Sequence, residues 1–399
     1  MWFTPLRRLR QFPDRLLLFA ESRTNGRDSV RTTGILPDTH IRQLHANGAI
    51  KTSRPFDADQ VQPASLDLRL GDVAYRVRAS FLPGPGTTVE SKLKRFALHE
   101  VDLTKGAVLE TGCVYMVPLQ ESLALPADVS ASANPKSSTG RLDIFTRVIT
   151  DNSQGFDRVS AGYAGPLYLE ISPSTFPIVA RTGSRLSQIR FRKGNALLDD
   201  AEIAQLHASE TLVSVPEDGN RGPVIQDGGI GVSIDLTGDA AGLVGYRGKR
   251  HTGVVDVDRK AACEVLDYWE PIHNRAGMDG EIILDPDEFY ILVSREAVHV
   301  PALHAAEMVP FDPLVGEFRV HYAGFFDPGF GDASAGGTGA RAVLEVRSHE
   351  VPFILEHGQL VGRLVYEHLI ERPAKLYGTG LGSNYQAQGL KLSKHFRAA

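Results

Sequence analysis

Short runs in which apolar and polar positions alternate dominate the chain. Ser65-Leu66-Asp67-Leu68-Arg69-Leu70-Gly71 places a leucine at every second position, the period of a strand with one buried face. Residues 108–125 hold short β-rich runs, including Cys113-Val114-Tyr115-Met116-Val117, that stop at Pro126. Leu167-Tyr168-Leu169-Glu170-Ile171, the run 176–180 and the run 188–191 continue the pattern, separated by Gly, Pro and Ser. Helical spacing is scarce. Pro37-Asp38-Thr39-His40 ahead of Ile41, Leu44 and Ile50 predicts one short N-capped helix, and residues 200–207 predict another. The Gly/Pro-rich stretch 80–95 reads as a loop. Many short strands punctuated by turn residues predict an all-β fold, a barrel or a double-sheet jelly roll.

The pattern occurs twice. Ser65-Leu66-Asp67-Leu68 returns as Ser233-Ile234-Asp235-Leu236. Tyr115 and Tyr290, Pro126 and Pro301, Glu170 and Glu345, and Gly183 and Gly358 are each separated by 175 positions. Four landmarks at one offset indicate a duplicated domain. The expected organisation is an N-terminal extension (1–33), a first β-domain (34–195), a linker (196–228), a second β-domain (229–372) and a C-terminal tail (373–399).

The copies are unequal. Lys136-Ser137-Ser138-Thr139-Gly140-Arg141 of the first falls, at that offset, on Phe311-Asp312-Pro313-Leu314-Val315-Gly316, without the hydroxyls or the cations. The second copy alone carries the turn Phe326-Asp327-Pro328-Gly329-Phe330. Its counterpart in the first is either 151–156 or 160–163. Only the second copy is followed by a tail rich in Gly, Tyr and Gln, from Tyr377 to Gly389.

Bulk composition narrows the function classes. The 399 residues are 42% apolar and 23% charged, with a net charge of −5. This is a soluble globular balance with no general attraction to nucleic acid. Two distant cysteines, Cys113 and Cys263, suggest neither a disulfide scaffold nor a zinc site and fit a reducing cytoplasm. No apolar run approaches the ~20 residues of a membrane helix, so no membrane partner is expected. Residues 1–33 are rich in Arg and read as a poorly ordered extension, a basic arm, a transit-like segment or an early start. No small-residue cleavage site follows a long apolar stretch, so no secretory signal is expected.

Two features carry candidate chemistry. Lys136 and Arg141 bracket the hydroxyls of Ser137, Ser138 and Thr139, and Gly140 lets a ligand approach the backbone, which suits a phosphorylated substrate. A solvated Ser/Thr/Gly loop is the plainer reading of that stretch. Glu170 and Glu345 each stand in an apolar run, where burial raises a carboxyl pKa toward the value a general acid/base needs. The alternative, a glutamate on the solvent face of its strand, is weakened by its recurrence in both copies. Neither H-x-E with P-C-x-x-C, nor G-x-S-x-G, nor H-E-x-x-H is present.

Together these stretches resemble the dCTP deaminase family, within the trimeric dUTPase-like superfamily, in a tandem form of roughly double length. Lys136–Arg141 resembles the family's R-S-S-L-A-R motif, with Lys for the first Arg. Phe326–Phe330 resembles its I-D-P-G-W hairpin, and Gly165-Pro166-Leu167-Tyr168-Leu169-Glu170 its G-x-x-x-L-E segment. The tail resembles its Y…K-Y-Q-x-Q-G triphosphate lid through Tyr377, Tyr385, Gln386 and Gln388, with Asn384 replacing the lid's Lys. The resemblance implies two tandem dUTPase-like β-domains. It also implies hydrolysis of dCTP to dUTP and ammonia with no metal bound by the protein, Mg²⁺ arriving with the triphosphate. A glutamate is implied as acid/base, helped by Ser137 and Arg141. Lys136, Ser138, Thr139, Gly140, Asp327, Gly329, Phe330 and the tail residues are implied as substrate contacts. dUTP and dTTP are further candidate ligands.

Because sites in this superfamily draw residues from neighbouring copies, a composite site is expected. Ser137, Ser138 and Arg141 of the first copy would face Asp327, Glu345 and the tail of the second, with Glu170 a relic or part of a second site. Homo-oligomers built on such shared sites are a further expectation. The competing readings are a dUTPase or bifunctional enzyme going through to dUMP, and a non-catalytic nucleotide-binding regulatory module.

Overall fold

A computed structural model describes residues 31–215, 223–274, 280–310, 318–321, 324–348, 350–379 and 389–397. The chain is built almost entirely of short strands with a few short helices. In the first half a six-stranded sheet runs Ala97–Asp102, Val73–Val77, Val114–Ala124, Ala164–Pro173, Ile144–Thr150, with Ile50–Thr52 added on Val114–Ala124. A five-stranded sheet runs Gly34–Ile35, Ser187–Lys193, Val129–Pro135, Arg158–Val159, with Leu66–Leu68 on Ser187–Lys193. Inward residues of both sheets, among them Val117, Leu169, Ile189 and Phe191, meet in one apolar core. This is how two sheets with alternating faces bury their apolar sides.

The second half repeats this plan. Trp269–His273, Leu243–Gly248, Phe289–Val298, Ala340–Ser348 and Phe318–His321 follow the order of the first six-stranded sheet. His304–Pro310 lies 175 positions after Val129–Pro135 and, like it, pairs with a two-residue strand. Hydrogen bonds repeat too. The hydroxyl of Tyr115 accepts from Glu110 N at 3.1 Å, and that of Tyr290 from Asp285 N at 3.0 Å. Gly183 N donates to Leu70 O, and Gly358 N to Ile234 O. Register also resolves the hairpin's counterpart. Val159 pairs with Ala131 as Phe326 pairs with Ala306, so 160–163 corresponds to 327–330, and 151–156 does not.

Local expectations need three corrections. The stretch 80–95 is not all loop: Val89–Phe96 is helical, capped by the Thr88 hydroxyl accepting from Ser91 N at 3.2 Å, with Val89 and Leu93 buried one turn apart. The helix Asp38–Ala46 has no side-chain cap, since Pro37 stands at the cap position, and the Asp38 carboxylate accepts from Thr39 N and from Ala374 N, each at 2.9 Å. Within 196–228 the helix Asp200–Glu210 has a capping box of Asp199 with Glu202. Ile203, Leu212 and Val213 bury in the second core, so the second folded unit starts upstream of 229.

The halves pack tightly on one another. The first core runs on into Trp269, Tyr268, Phe289 and Phe396 of the second half, with the Phe176 and Trp269 rings 5.2 Å apart and edge-on. Val255–Asp256 of the second half extends the edge strand Ile178–Ala180 of the first in parallel register. No helix among the described residues is long and apolar enough to cross a membrane.

Candidate active site

The motif 136–141 forms at the end of the strand Val129–Pro135. Lys136 N is tied to Leu186 O, and the chain then makes a single helical turn, Ser137–Gly140. Thr139 N and Gly140 N both bond Lys136 O, and Arg141 N bonds Ser137 O. A turn this tight following a sheet strand buries Ser138, Thr139, Gly140 and Arg141. Thr139 is 1% exposed, and its hydroxyl has no hydrogen-bond partner among the described residues.

Across the boundary between the halves, the strand Ala340–Ser348 carries Glu345 to this turn. The Arg141 Nε lies 3.9 Å from Glu345 Oε1, and both side chains are buried. That separation is attractive but too long for a hydrogen bond. Burial therefore outweighs the arginine, and the Glu345 carboxyl is pushed up to about 8. Two residues further, Arg347 pairs with Asp143 and bonds Thr175 Oγ1 at 3.2 Å. The Thr175 hydroxyl donates to Asp143 at 2.6 Å. The strand holding Glu345 is thereby fastened to the loop just after Arg141.

The hairpin is held from the first half as well. Arg190, fully buried on the strand Ser187–Lys193, reaches Phe326 O at 3.3 Å and Asp327 Oδ1 at 3.4 Å. It also lies over the Phe325 ring at 4.1 Å and within 3.5 Å of Glu367. Burial raises the Asp327 carboxyl pKa, and Arg190 opposes the rise. Beside it, Asn134 Nδ2 donates to Glu307 at 3.1 Å.

Ser137, Ser138 and Arg141 thus share one boundary with Glu345, as a composite arrangement requires. Three expectations change. Lys136 is not an open phosphate cation: its ammonium pairs with Asp67, which is 1% exposed and also faces Arg185 at 3.4 Å. A buried carboxylate needs such partners. Phe330 is not an open platform for a base: it is buried in the second core between Phe326 and Tyr377, with ring centroids 5.0 and 5.6 Å away. Gly329, at φ +95°, turns the chain so that its neighbour points inward. A Cβ at Gly329 would meet the Leu376 Cβ at 2.8 Å. Glu170 is paired inside its own copy, with Arg147 Nε at 2.9 Å and Nη2 at 2.5 Å, and the guanidinium sits 3.5 Å from the Phe156 ring. Tyr385, Gln386 and Gln388 lie outside the described residues.

Arg190, Asp67 and Glu307 were missed as site residues. Asp67 has no counterpart in the second copy that could have flagged it: Leu66 pairs with Ile189 and Ile230 with Leu364, 175 positions on, so Gly231 stands at its place and the likeness of 65–68 to 233–236 is out of register. Arg190 and Glu307 had no signal either, because their partners are more than 100 positions away. Among the described residues no three His, Cys, Asp or Glu side chains gather as a metal site.

Residues 32–195 match the family model described as the 2'-deoxycytidine 5'-triphosphate deaminase N-terminal domain, and residues 199–396 match that of its C-terminal domain. A crystal structure of 2'-deoxycytidine 5'-triphosphate deaminase from Agrobacterium tumefaciens is 71% identical. It superposes with a TM-score of 0.80 over 86% of this chain and all of that one. A Beutenbergia cavernae protein named "dCTP deaminase, dUMP-forming" is 32% identical over 39% of this chain and 78% of its own length. A protein of the same name from Corynebacterium glutamicum is 30% identical over 47% of this chain and 93% of its own.

Proposed function

The chain belongs to the dCTP deaminase family, and from that premise we propose how its residues divide the chemistry. The reaction is the hydrolytic deamination of dCTP, feeding dUTP and dTTP synthesis. A water must lose a proton to attack C4 of the cytosine, the amino group must gain one proton to leave as ammonia, and the second water proton ends on ring N3. We assign the first two transfers to Glu345. Ionised, it takes the water's proton; protonated, it passes that proton to the departing nitrogen. Its pKa near 8 suits a group that works in both directions close to neutral pH. Arg141 and Ser137 orient the water and stabilise the negative charge that builds on the attacked ring. The observation that carries this reading is the approach of Arg141 from one copy to the buried Glu345 of the other.

Asp327 takes a sugar hydroxyl, and Ser138, Thr139 and Gly140 meet the phosphates. Tyr377 and the tail residues Tyr385, Gln386 and Gln388 complete the triphosphate contacts. Mg²⁺ arrives as part of the nucleotide substrate, and the protein binds no metal of its own for the chemical step. Because both copies supply the site, one chain is sufficient for it, whatever oligomer the chain forms in a cytoplasmic setting.

A second reading extends the first. The two curated relatives described above carry the name "dCTP deaminase, dUMP-forming", which favours a bifunctional enzyme that also cleaves the triphosphate. Incubation of the purified protein with Mg²⁺ and dCTP, followed by separation of products, divides these outcomes. dUTP supports simple deamination and dUMP with pyrophosphate supports the extension. No turnover of dCTP or dUTP sinks both.

A further inference from the structure

Residues beyond the tail's resemblance to a lid make a second contact with the motif. Arg141 Nη1 donates to Lys391 O at 2.8 Å, and the Ser393 hydroxyl donates to Ser138 O at 2.8 Å. Ser393 and His395 are both 2% exposed. The segment is anchored independently of the motif. Ala261 N bonds Lys394 O, Ala262 N and Cys263 N bond His395 O, and Arg397 N bonds Cys263 O. Phe396 fills an aromatic nest, with its ring 5.5 Å from Tyr268, 5.8 Å from Trp269 and 6.4 Å from Phe176.

His395 fixes where the Ser393 oxygen sits. Its Nε2 is 2.9 Å from Val257 O, which only accepts, so Nε2 carries the proton. Burial lowers the His395 pKa to about 4, so the ring is neutral near pH 7 and its Nδ1, 2.9 Å from Ser393 Oγ, is an acceptor. The single Ser393 proton therefore lies between two acceptors, the imidazole and the Ser138 carbonyl. On the other side of the turn, the Lys391 carbonyl holds one end of the Arg141 guanidinium while its Nε faces Glu345.

We propose that the anchored segment 391–397 is a structural part of the active site, with Ser393 as a positioning residue. It holds the Ser138–Arg141 turn so that the arginine addresses Glu345. The motif is contributed by the first copy and Glu345 by the second; the C-terminus of the same chain sets their relative position. This rests on the assignment of Arg141 and Glu345 to the chemistry.

The test compares Ser393→Ala, Ser393→Thr and a full chain ended after Leu390, each assayed for dCTP turnover and thermal melting. Ser393→Ala is expected to lower kcat about fivefold, the loss from one buried hydrogen bond, and to raise KM as well, because Ser138, Thr139 and Gly140 of the same turn meet the phosphates. Ser393→Thr, which keeps the hydroxyl, restores kcat. The shortened chain loses turnover more deeply and regains it on addition of a peptide of residues 391–399. Wild-type kcat in Ser393→Ala, or in a shortened chain that still melts cooperatively, overturns the proposal. So does a fall in kcat that tracks melting temperature and is not restored by Ser393→Thr. The underlying assignment fails separately. Full activity in Glu345→Gln sinks that assignment, whereas an inert Glu345→Gln beside a wild-type Ser393→Ala sinks only the clasp.

Discussion

Replacing Glu345 by Gln is expected to cut turnover by orders of magnitude and, at alkaline pH, to make the protein more stable. The carboxyl is buried with its nearest cation 3.9 Å away, and its pKa moves from 4.5 to about 8 on folding. A raised carboxyl pKa means that the folded state holds a proton which the unfolded chain releases. Below pH 4.5 both states are protonated and the group costs nothing. As pH rises from 4.5 to 8 the unfolded state is favoured by about 1.4 kcal/mol for each pH unit. The ceiling, reached above pH 8, is roughly 5 kcal/mol, and structural relaxation brings it down to about 2–4 kcal/mol. Gln has nearly the same shape and no proton to lose, so it escapes this cost. The assay is urea unfolding of wild type and Glu345→Gln at pH 5, 6, 7, 8 and 9, with dCTP turnover measured on the same samples. The stability difference should be near zero at pH 5, grow with pH and level off above 8. Turnover should fall by about 10²–10⁴, the contribution of a general acid/base. A pH-independent difference, or a wild type that is the more stable protein at pH 9, refutes the claim that Glu345 is buried without full compensation.

Other consequences follow from the same contacts. The wild-type kcat/KM should rise about tenfold per pH unit below 8 and flatten above it, since only ionised Glu345 accepts the water's proton. Because Arg141 draws the Glu345 pKa down, Arg141→Gln should move that limb to higher pH as well as lower the plateau by about 10²–10³; a pH–rate profile checks both. Glu170→Gln should leave kcat within about twofold of wild type but cost about 1–3 kcal/mol in urea unfolding, because Arg147 loses its charged partner. Arg190→Leu should cost about 3–5 kcal/mol by taking the guanidinium from buried Asp327, Glu367 keeping Arg192 at 3.0 Å, and should raise KM for dCTP. Gly329→Ala places a Cβ at positive φ against Leu376 and should cost about 1–3 kcal/mol, read as a lower melting temperature.

What was legible in the sequence was what local pattern encodes. Strands with one buried face leave a period of two, and Leu167-Tyr168-Leu169-Glu170-Ile171 lies within the strand Ala164–Pro173. Duplication was legible because a turn glycine and a hydroxyl-bonded tyrosine must keep their spacing from the strands they serve, as Gly183 and Tyr115 do. The approach of Arg141 to Glu345 across the copies was legible only through asymmetry, since one copy lacks the motif that the other keeps. Contacts between distant segments left no trace. Arg141 and Lys391 are 250 positions apart, and Ser138 and Ser393 are 255. Neither pairing shows in hydrophobic periodicity, and both depend on how the halves pack. The helix Val89–Phe96 was hidden by the Gly/Pro-rich residues before it, although Val89 and Leu93 carried its spacing.

The duplicated chain also contains its own control experiment. Glu170 and Glu345 occupy equivalent positions on equivalent strands, and both are buried. They differ in the cation they meet. Glu170 is opposite Arg147 on the adjoining strand, at hydrogen-bonding distance and inside a single copy. At the same register Glu345 is opposite His321, and its guanidinium partner comes from the other copy at 3.9 Å. An ion pair closed within one copy gives a structural carboxylate, with no room for a reactant between the charges. A carboxyl that burial keeps near a pKa of 8, with a cation close but not bonded, exchanges a proton near neutral pH. On the proposed assignment, the separation between the charges, rather than the presence of a glutamate or an arginine, distinguishes the copy that supplies the acid/base from the one that does not. Closing the gap at Glu345, by placing an arginine at position 321, should convert the second glutamate into a copy of the first: His321→Arg should melt at or above the wild-type temperature and turn over dCTP at least about tenfold more slowly. Retention of wild-type turnover in that variant, with its fold intact, contradicts this account of how the two copies diverged.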